Sequence, residues 1–566
     1  MRVLGIHDGH TATACIMEDG KLLAMVSEER LWHEKEKGGF PGRAVSEVLD
    51  LSGLKPGDID VVAVATLTPP LLPEEFKEPK FPRNVYQRLY RVFPRSLLQG
   101  DWYVEPIVRF VHGRGRREYV ERNLKGVGVE APVVFVEHHL AHASSAFYGS
   151  GFERSLVVTL DGAGDGLSGS YYVGEGLSLK RLGRISAYNS LGEFYTRITE
   201  YLGMKPLSHE YKVMGLAPYA REDDRRVQEA YRRLRKLFRV DGDRILNESG
   251  VYKADYLKLF QKLLFKVRFD AVAYAAQRTL EEVVMEWIDN IRGSHESVAA
   301  AGGVFMNVKM NYHLLTRFRN VFVMPSAGDE SLAYGAAAYV SAERGIRPQP
   351  IGALYLGREF GDREIEEAFE RLNEREFKVE KVGEDIHEYV ADLLSEGKVV
   401  ARFFGRAEWG ARALGNRSIL ADPRRLEVVQ RINRMIKRRD FWMPFAPSVL
   451  ADDFETYFRA PIRSKSERYM ILAFPTEEVA VRHLPAALHQ NDHTGRPQVV
   501  YEEDNPEYYR LIRRFKGKTG VGAVLNTSFN LHGKPIVYNP EQAIYTLTNS
   551  DLDALAIGEY VVMRVR

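Results

Sequence analysis

A pair of histidines separated by one helical turn is the first feature of this sequence that could do chemistry. His138 and His142 lie in the segment Val136–Ala143, where helix-favouring residues continue as far as two nearby glycines. Positions i and i+4 lie one above the other on a helix, whereas His139 points about 100° away from His138. Two imidazoles on one face can bind a divalent metal, as the H-E-x-x-H helix does, although that motif's glutamate is missing here. The spacing predicts either a metal site or a hydrogen-bonded histidine pair.

The remaining ligands of such a metal would be carboxylates from other segments. Asp161 directly follows the apolar run Leu156–Leu160, and Asp329 lies in the polar segment Pro325–Glu330. Carboxylate oxygens combined with imidazole nitrogens suit several divalent metals. Both aspartates are therefore candidate metal ligands.

A pair of glycines follows another apolar run. Gly302 and Gly303 come directly after Val298–Ala301, and Asn307 follows shortly afterwards. Paired glycines allow a backbone to approach a ligand closely. This segment is a candidate for contact with adenosine or ribose, and a plain tight turn is the alternative.

The densest set of polar side chains lies after residue 400. Arg412 and Arg417 belong to a glycine-containing stretch, and Lys437, Arg496 and Ser528 follow later in the chain. Guanidinium groups, an ammonium group and a hydroxyl are the groups that bind phosphate and offset charge in phosphoryl chemistry. If they converge in space they form an anion site, whereas any single arginine could equally serve a surface salt bridge.

Two similar units could provide the strands that position these residues. In each, an apolar run ends in an Asp-Gly loop, at Asp8-Gly9 and at Asp161-Gly162. Each loop is followed by two alternating segments joined by a tight turn, which is a hairpin signal. The repeat predicts a duplicated actin- or hexokinase-like (ASKHA) nucleotide-binding fold, with two unrelated hairpins as the alternative.

The length of 566 residues predicts two or three domains. Prolines at 348 and 350 interrupt a helical pattern. They predict a boundary that divides the chain into domains 1–350 and 355–566. Helix and strand patterns alternate after that boundary, so an α/β fold is predicted. Residues 70–130 are rich in proline, arginine and aromatic residues. They are interpreted as an inserted helical subdomain, or as a lid for an anionic or bulky substrate.

The composition and the apolar runs indicate which partners and which compartment to expect. Lys and Arg number 79 and Asp and Glu number 77, so a net charge of +2 gives no global reason to expect nucleic-acid binding. Cys15 is the only cysteine, which excludes an intrachain disulfide. Neither a secretory signal nor an apolar run of about 20 residues is present. A cytoplasmic enzyme without a membrane partner is expected, and a homodimer is compatible with the sequence.

Together these motifs resemble the NodU/CmcH-type O-carbamoyltransferases of nodulation-factor and antibiotic biosynthesis. The resemblance extends over nearly the whole chain and keeps the order of the motifs. The motifs are His7–His10, His138–Ala143, Asp161-Gly162, Glu210–Tyr219, Gly302-Gly303, Pro325–Glu330, Arg412–Ser418, Pro444–Pro447 and Asn526–Asn530.

The resemblance implies a two-domain architecture and a two-step reaction. The N-terminal domain would be similar to tRNA threonylcarbamoyladenosine transferase, and the C-terminal domain would be YrdC-like. In the second domain, carbamoyl phosphate would give carbamate, which attacks the α-phosphate of ATP and forms carbamoyl-adenylate and pyrophosphate. In the first domain, the acceptor hydroxyl would take the carbamoyl group and AMP would leave. Mg²⁺ is expected to accompany ATP.

The resemblance also implies roles for individual residues. His138, His142, Asp161 and Asp329 match the family's metal ligands, where iron is usual and Mn or Zn would also suit the donors. His10 and Asp8, which share one loop, are the candidate catalytic residues, with His10 as the candidate general base for the acceptor and a positioning role as its alternative. The expected nucleotide-binding residues are Gly162, Gly302, Gly303 and Asn307, and those expected to hold carbamoyl phosphate or the adenylate are Arg412, Arg417, Lys437, Arg496 and Ser528.

Two positions depart from the family's pattern. Met443 precedes Pro-Phe-Ala-Pro where arginine is common, and Lys534 stands where glutamate is common. The first removes an expected phosphate donor, which Lys534 or Arg439 could replace.

Two other functions are compatible with parts of the sequence. One is a threonylcarbamoyl transferase that modifies tRNA, and the other is an ATP-binding regulatory protein of the actin-like class. The fusion of both halves and the long motif Glu210–Tyr219 favour the O-carbamoyltransferase instead. The acceptor is expected to be a sugar, an aminoglycoside or a similar natural product.

Overall fold

The computed structural model describes residues 1–68, 98–100 and 104–565, and the chain forms two compact units. The first contains Met1–Leu23 and Gly38–Ile351, and the second contains Ala24–Lys37 and Gly352–Arg566. The second unit thus includes a segment from near the N-terminus as well as the residues after 351. Residues 70–97 and 101–103, about half of the insertion predicted at 70–130, lie outside the described residues.

A five-stranded sheet with the order β3-β2-β1-β4-β5 begins the chain. Its strands are β1 (Arg2–His7), β2 (Thr13–Glu18), β3 (Lys21–Ser27), β4 (Val61–Ala65) and β5 (Val133–Val136). Strand β2 is antiparallel to β1, β4 is parallel to β1, and β5 is parallel to β4. Every residue of β4 is buried, in keeping with its continuous apolar sequence.

A second five-stranded sheet has the order β12-β11-β6-β7-β8. Its strands are β6 (Arg154–Gly164), β7 (Leu167–Glu175), β8 (Ser178–Ser186), β11 (Ser297–Ala301) and β12 (Asn320–Val323), and β9 (Phe238–Asp241) and β10 (Arg244–Asn247) form a separate hairpin. Strand β7 is antiparallel to β6, β11 is parallel to β6, and β12 is parallel to β11. The two sheets therefore repeat one α/β topology, which confirms the duplication predicted from the two Asp-Gly loops.

Some helices of the first unit pack on these sheets, and others pack on the hairpin or on one another. They are α2 (Gly42–Leu51), α3 (Val104–Gly126), α4 (His138–Ser150), α5 (Leu191–Tyr201), α6 (Glu210–Leu216), α7 (Arg225–Arg235), α8 (Asp255–Leu263), α9 (Phe269–Ile291), α10 (Val308–Leu315) and α11 (Leu332–Glu343); α1 (Glu28–Trp32) lies in the second unit. Helix α11 contacts β1, β4 and α4. A Cβ atom at Gly335 would lie 1.9 Å from the Ala141 carbonyl oxygen, so glycine permits the close contact of α11 with α4.

The second unit contains an eight-stranded mixed sheet with the order β13-β20-β19-β14-β15-β18-β16-β17. The strands are β13 (Phe377–Lys381), β14 (Val400–Phe403), β15 (Arg417–Ala421), β16 (Ala446–Leu450), β17 (Gln498–Val500), β18 (Ala523–Ser528), β19 (Ala554–Ile557) and β20 (Tyr560–Arg564). The helices are α12 (Asp362–Phe369), α13 (Ile386–Ser395), α14 (Glu427–Ile432), α15 (Phe454–Tyr457), α16 (Glu478–His483), α17 (Pro506–Thr519) and α18 (Pro540–Thr548). The predicted α/β class is confirmed, and the YrdC-like assignment stays a prediction.

Within the described residues, no helix has the length and apolar character needed to cross a membrane.

Candidate functional site

Helix α4 carries the predicted histidine pair and begins at a strongly capped N-terminus. The side chain of Glu137 accepts hydrogen bonds from the backbone N–H groups of His139 and Leu140 at 2.9 and 3.0 Å, and it also pairs with Arg181. The backbone N–H of His138 donates to Asp165 at 2.9 Å. These contacts satisfy N–H groups that the helix itself leaves unpaired, so they fix the first turn.

Four side chains meet beside this helix: His138, His142, Asp161 and Asp329. The Nε2 atoms of the two histidines lie 3.1 and 3.2 Å from Asp161 Oδ2, and 3.7 and 3.4 Å from Asp329 Oδ1. Donors about 2.1 Å from one ion in a tetrahedron would be about 3.4 Å apart. The observed spacing and the donor types therefore fit a divalent metal, and the structure brings together all four predicted ligands.

The electrostatics of this cluster also suit a cation. Burial lowers the pKa of His138, but Asp329 and Asp161 outweigh that effect and raise its pKa to about 9. Burial acts to raise the pKa of Asp161, yet hydrogen bonds with both histidines hold it well below its usual value. His139 points elsewhere, since its Nδ1 lies 3.0 Å from the Thr159 hydroxyl. The cluster therefore concentrates two carboxylates in a buried place where a metal ion would offset their charge.

His10 lies at the edge of this cluster. Its Nδ1 atom is 3.6 Å from Asp329 Oδ2, and its side chain is 39% exposed. The neighbouring His7 is buried, with its Nε2 atom 4.0 Å from the same oxygen, and burial lowers its pKa to about 4. His10 is thus the histidine of this loop that combines access to solvent with a position near the four ligands.

Asp8 has a different environment from that of His10. It is buried, and both of its carboxylate oxygens accept hydrogen bonds from Arg116, whose side chain is also buried. Arg116 also donates to the Thr66 hydroxyl at 3.3 Å. Because this bidentate pair occupies the Asp8 carboxylate, Asp8 fixes the loop that carries His10, and a catalytic role for Asp8 stays a prediction.

The predicted glycine turn lies against the end of β6. Gly302 has φ +103°, and a Cβ atom there would lie 2.2 Å from the Leu160 carbonyl oxygen. A Cβ atom at Gly303 would lie 2.7 Å from Asp161 Oδ1. The N–H of Gly162 donates to the same carboxylate oxygen at 2.6 Å. Two predicted nucleotide-binding residues, Gly162 and Gly303, thus lie beside the Asp161 carboxylate, and Gly302 lies beside Leu160.

The side chain of Asn307 is hydrogen-bonded within the protein. Its side chain accepts from the N–H of Met310 at 3.1 Å and caps α10, and it exchanges two hydrogen bonds of 2.8 and 3.0 Å with Gln277. Its nucleotide role stays a prediction.

In the second unit, a basic cluster forms around the loop after α14. The helix continues as a π-helical turn, Asn433–Lys437, and ends at Arg438 in a left-handed conformation with φ +46°. Single π-turns are rare and occur frequently at functional sites. This one places the Lys437 side chain against the end of β18.

Lys437 is buried among oxygen acceptors of that strand end. Its ammonium lies 3.1 Å from Ser528 Oγ and 2.6 Å from Asn530 Oδ1, and it also contacts the carbonyl oxygens of both residues. Burial, together with Arg439 and Lys35, holds its pKa well below the usual value. Lys437 and Ser528, which were both predicted site residues, are therefore direct neighbours.

Arg496 and Arg412 belong to the same cluster. Arg496 is 3.4 Å from the Met470 carbonyl, and burial with the charges of Arg412 and Arg439 depresses its pKa. Like charges raise one another's energy unless an anion offsets them. A group of cations around a half-buried arginine is therefore suited to bind an anion.

Arg417 makes its hydrogen bonds to backbone carbonyl oxygens near it. Its guanidinium donates to the carbonyl oxygens of Phe404, Asn416 and Gly405 at 2.9–3.1 Å and stacks on Phe403 at 3.6 Å. Burial lowers its pKa to about 10. These contacts indicate that Arg417 shapes the loop, and its role in ligand binding stays a prediction.

Several residues that position the sites were missed by sequence reasoning. Arg116 was one of many arginines in the predicted insertion at 70–130, so nothing marked it as the partner of Asp8. Asp165 belongs to the repeated Asp-Gly pattern Asp161–Gly166, and this could have indicated a role near His138. Glu137 immediately precedes the two adjacent histidines, a position where a capping side chain could be expected.

Comparison with known families agrees with the motifs. The family model described as the carbamoyltransferase N-terminus matches residues 2–338, and that of the carbamoyltransferase C-terminus matches residues 391–564. The two matches together cover most of the chain.

Individual relatives extend over the same length. An uncharacterized protein of Methanocaldococcus jannaschii is 32% identical, with 100% of both chains covered. The nodulation protein NolNO of Sinorhizobium fredii is 33% identical, covering 99% of this chain and 79% of its own. The 3'-hydroxymethylcephem-O-carbamoyltransferase of Amycolatopsis lactamdurans is 28% identical, covering 56% of each chain.

Proposed function

The chain belongs to the carbamoyltransferase family, and from that premise we propose that it is an ATP-dependent O-carbamoyltransferase. In the first step, water cleaves carbamoyl phosphate to carbamate and inorganic phosphate. A carbamate oxygen then attacks the α-phosphorus of ATP, which forms carbamoyl-adenylate and releases pyrophosphate. In the second step, the acceptor hydroxyl loses its proton and attacks the carbamoyl carbon, and AMP leaves.

The observation that carries this proposal is the pair of chemically different clusters on one chain. The second unit collects the cations Arg412, Lys437 and Arg496 around the end of β18. Bringing carbamate to a triphosphate requires positive charge to offset the repulsion between the two anions. We therefore assign activation to the second unit, which we expect to be YrdC-like.

We assign transfer to the first unit. His10 is the general base for the acceptor hydroxyl, because it is partly exposed and lies 3.6 Å from Asp329. His138, His142, Asp161 and Asp329 would hold a divalent metal, with iron as the expected ion and Mn or Zn as alternatives. Such a metal would supply Lewis-acid stabilisation of negative charge near the transferred group. The glycines beside Asp161 would allow the nucleotide to approach, with Mg²⁺ accompanying ATP.

The names of the relatives support a small hydroxyl compound as the acceptor. One relative is a cephem O-carbamoyltransferase that acts on a hydroxymethyl compound, and others are nodulation proteins. We propose a sugar, an aminoglycoside or a similar natural product as the acceptor for this chain. A cytoplasmic location and a homodimer stay predictions from the sequence.

Mass spectrometry of the full-length protein tests the proposal. The protein is mixed with ATP, carbamoyl phosphate and a panel of hydroxylated metabolites. We expect AMP, pyrophosphate and an acceptor that is heavier by one carbamoyl group, in amounts that depend on carbamoyl phosphate. Binding of tRNA in a separate filter assay, or ATP binding without pyrophosphate release, would instead support a tRNA-modifying enzyme or a regulatory protein.

A further inference from the structure

The turn between β6 and β7 carries a buried carboxylate to which the proposed function gives no role. Gly164 pairs with Leu167 across this hairpin, so Asp165 and Gly166 are its two turn residues, with φ of +49° and +84°. Positive φ at both positions is the requirement of the tight hairpin turn that Asp-Gly favours. Such turns lie on the surface as a rule, whereas Asp165 has only 4% of its surface exposed. The turn conformation alone therefore does not explain why this carboxylate is buried.

The Asp165 carboxylate accepts hydrogen bonds from two other elements. Its Oδ1 atom accepts from the backbone N–H and the hydroxyl of Thr68 at 2.8 and 2.9 Å. The N–H of Leu67 donates to Oδ1 and Oδ2 at 3.1 and 2.9 Å, and the N–H of His138 donates to Oδ2 at 2.9 Å. A buried charge is costly unless donors satisfy it. These contacts therefore hold the turn, the loop after β4 and the start of α4 together.

The loop after β4 has an uncommon backbone conformation at this point. Thr66 has φ +74°, which is unfavourable for a β-branched residue and persists only where surrounding contacts enforce it. On one side, the Thr66 hydroxyl accepts from Arg116, which also pairs with Asp8. On the other side, the next two backbone N–H groups donate to Asp165. The loop thus connects the Asp8 loop to the turn at Asp165.

The same turn also supports the imidazole of His138. A Cβ atom at Gly164 would lie 2.1 Å from His138 Cγ, so the backbone of Gly164 packs directly against the ring. The Nε2 atom of that ring lies 3.1 Å from Asp161 Oδ2. Because Asp165 holds the main chain of His138 and Gly164 supports its ring, a shift of the turn would move this nitrogen relative to Asp161.

We propose that Asp165 is a positioning residue, which sets His138 in the orientation that metal binding requires and ties α4 to the loop after β4. The assignment rests on the metal site of the proposed function, and it does not depend on the activation step or on the acceptor. Asparagine would suit the turn as well as aspartate does. Its NH₂ group, however, would face N–H donors where the carboxylate offers a second oxygen. Asp165→Asn therefore removes the acceptor and keeps the turn.

Titration of the chelator-treated, full-length protein with Co²⁺ tests the assignment. We expect Asp165→Asn to weaken Co²⁺ binding by about 10- to 100-fold, the usual effect of losing an outer-shell partner of a metal ligand. The visible spectrum of bound Co²⁺ should also change, because it reports the arrangement of the ligands. A role limited to stabilising the turn would lower the melting temperature of the metal-free protein and leave the affinity and the spectrum unchanged.

Asp19→Asn is the matched control. Asp19 and Gly20 form an Asp-Gly turn between β2 and β3 with φ of +47° and +81°, and the Asp19 side chain is 75% exposed. This variant should bind Co²⁺ as the wild type does. If Asp165→Asn does not fold, Thr68→Val decides, because it removes one donor and leaves the carboxylate its other partners. We expect it to weaken Co²⁺ binding by about two- to tenfold, the effect of one hydrogen bond.

The possible outcomes separate this role from the metal site itself. Binding by folded Asp165→Asn within twofold of wild type, with an unchanged spectrum, would overturn the role of Asp165 and keep the metal site. The same result in Thr68→Val, where Asp165→Asn is unfolded, or an equal loss in Asp19→Asn would also overturn it. No Co²⁺ binding by the wild type would instead reject the metal site of the proposed function, and this role for Asp165 with it.

Discussion

At the scale of single residues, the metal-binding cluster depends on two kinds of spacing. The i and i+4 positions of His138 and His142 are close because they share a helix, so the sequence alone predicted that half of the site. Asp161 and Asp329 come from other elements, and no local pattern around either residue indicates that it lies beside the two histidines. Their positions after a strand and in a polar segment made them candidates, and the family resemblance then matched both to metal ligands, since contacts between distant segments are not visible in local patterns.

The first prediction concerns this cluster. His142→Ala should lose the bound metal and keep its fold, because it removes one of four donors that lie within 4.8 Å of one another. His139→Gln is the control, since His139 is on the same helix and bonds to Thr159 instead. Elemental analysis of purified protein measures the metal content. A full equivalent of metal in folded His142→Ala would exclude this ligand set.

The second prediction concerns the buried pair of Asp8 and Arg116. Arg116→Ala leaves a buried carboxylate without its partner, which should lower the free energy of unfolding by about 3–5 kcal/mol. Arg117 on the same helix pairs with Glu121 on the surface, where the side chains are 50% and 46% exposed. Arg117→Ala should therefore cost at most about 1 kcal/mol. Denaturant titration compares the two variants, and equal losses would show that the buried pair does not hold the His10 loop.

At the scale of elements, the sequence predicted the repeated strands better than the turns and helix ends that connect the elements. The Asp-Gly loops and the alternating segments around them are local signals. In the structure each of the two units forms the first three strands of its own sheet. The π-helical turn before Lys437 has no comparable local signal, because its sequence continues an ordinary helical pattern. The capping of α4 by Glu137 and Asp165 also depends partly on a distant residue.

The third prediction concerns the contact between α11 and α4. Gly335→Ala should destabilise the protein by about 1–3 kcal/mol, because its Cβ atom would lie 1.9 Å from the Ala141 carbonyl oxygen. It should also weaken metal binding, since α4 carries both histidine ligands. Gly115→Ala is a matched control within α3, where a Cβ atom meets nothing within 4 Å. There alanine should be neutral or stabilise by up to about 1 kcal/mol. Similar thermal shifts in both variants would be inconsistent with this packing.

At the scale of the whole molecule, the second unit includes residues from near the N-terminus. Arg30 is buried and donates to the Gly410 carbonyl oxygen at 2.7 Å, in the loop that leads to Arg412. Lys35 adds its charge near Lys437. Sequence patterns placed the boundary near residue 350 because proline and glycine mark the end of a helix, but no pattern indicated that 24–37 belongs elsewhere. A fragment of 355–566 would lack these residues, so the two steps should be separated with variants of the full chain.

We propose that activation and transfer use different residues of one chain, and paired point variants test this most directly. Pyrophosphate release and carbamoylated product are measured together for the wild type, His10→Ala and Lys437→Ala. We predict that His10→Ala loses transfer by about 10²–10⁴-fold, the usual contribution of a general base, while pyrophosphate release continues. Lys437→Ala should lose pyrophosphate release but still transfer the carbamoyl group from supplied carbamoyl-adenylate. If folded His10→Ala loses both activities equally, the separation of the two steps is contradicted.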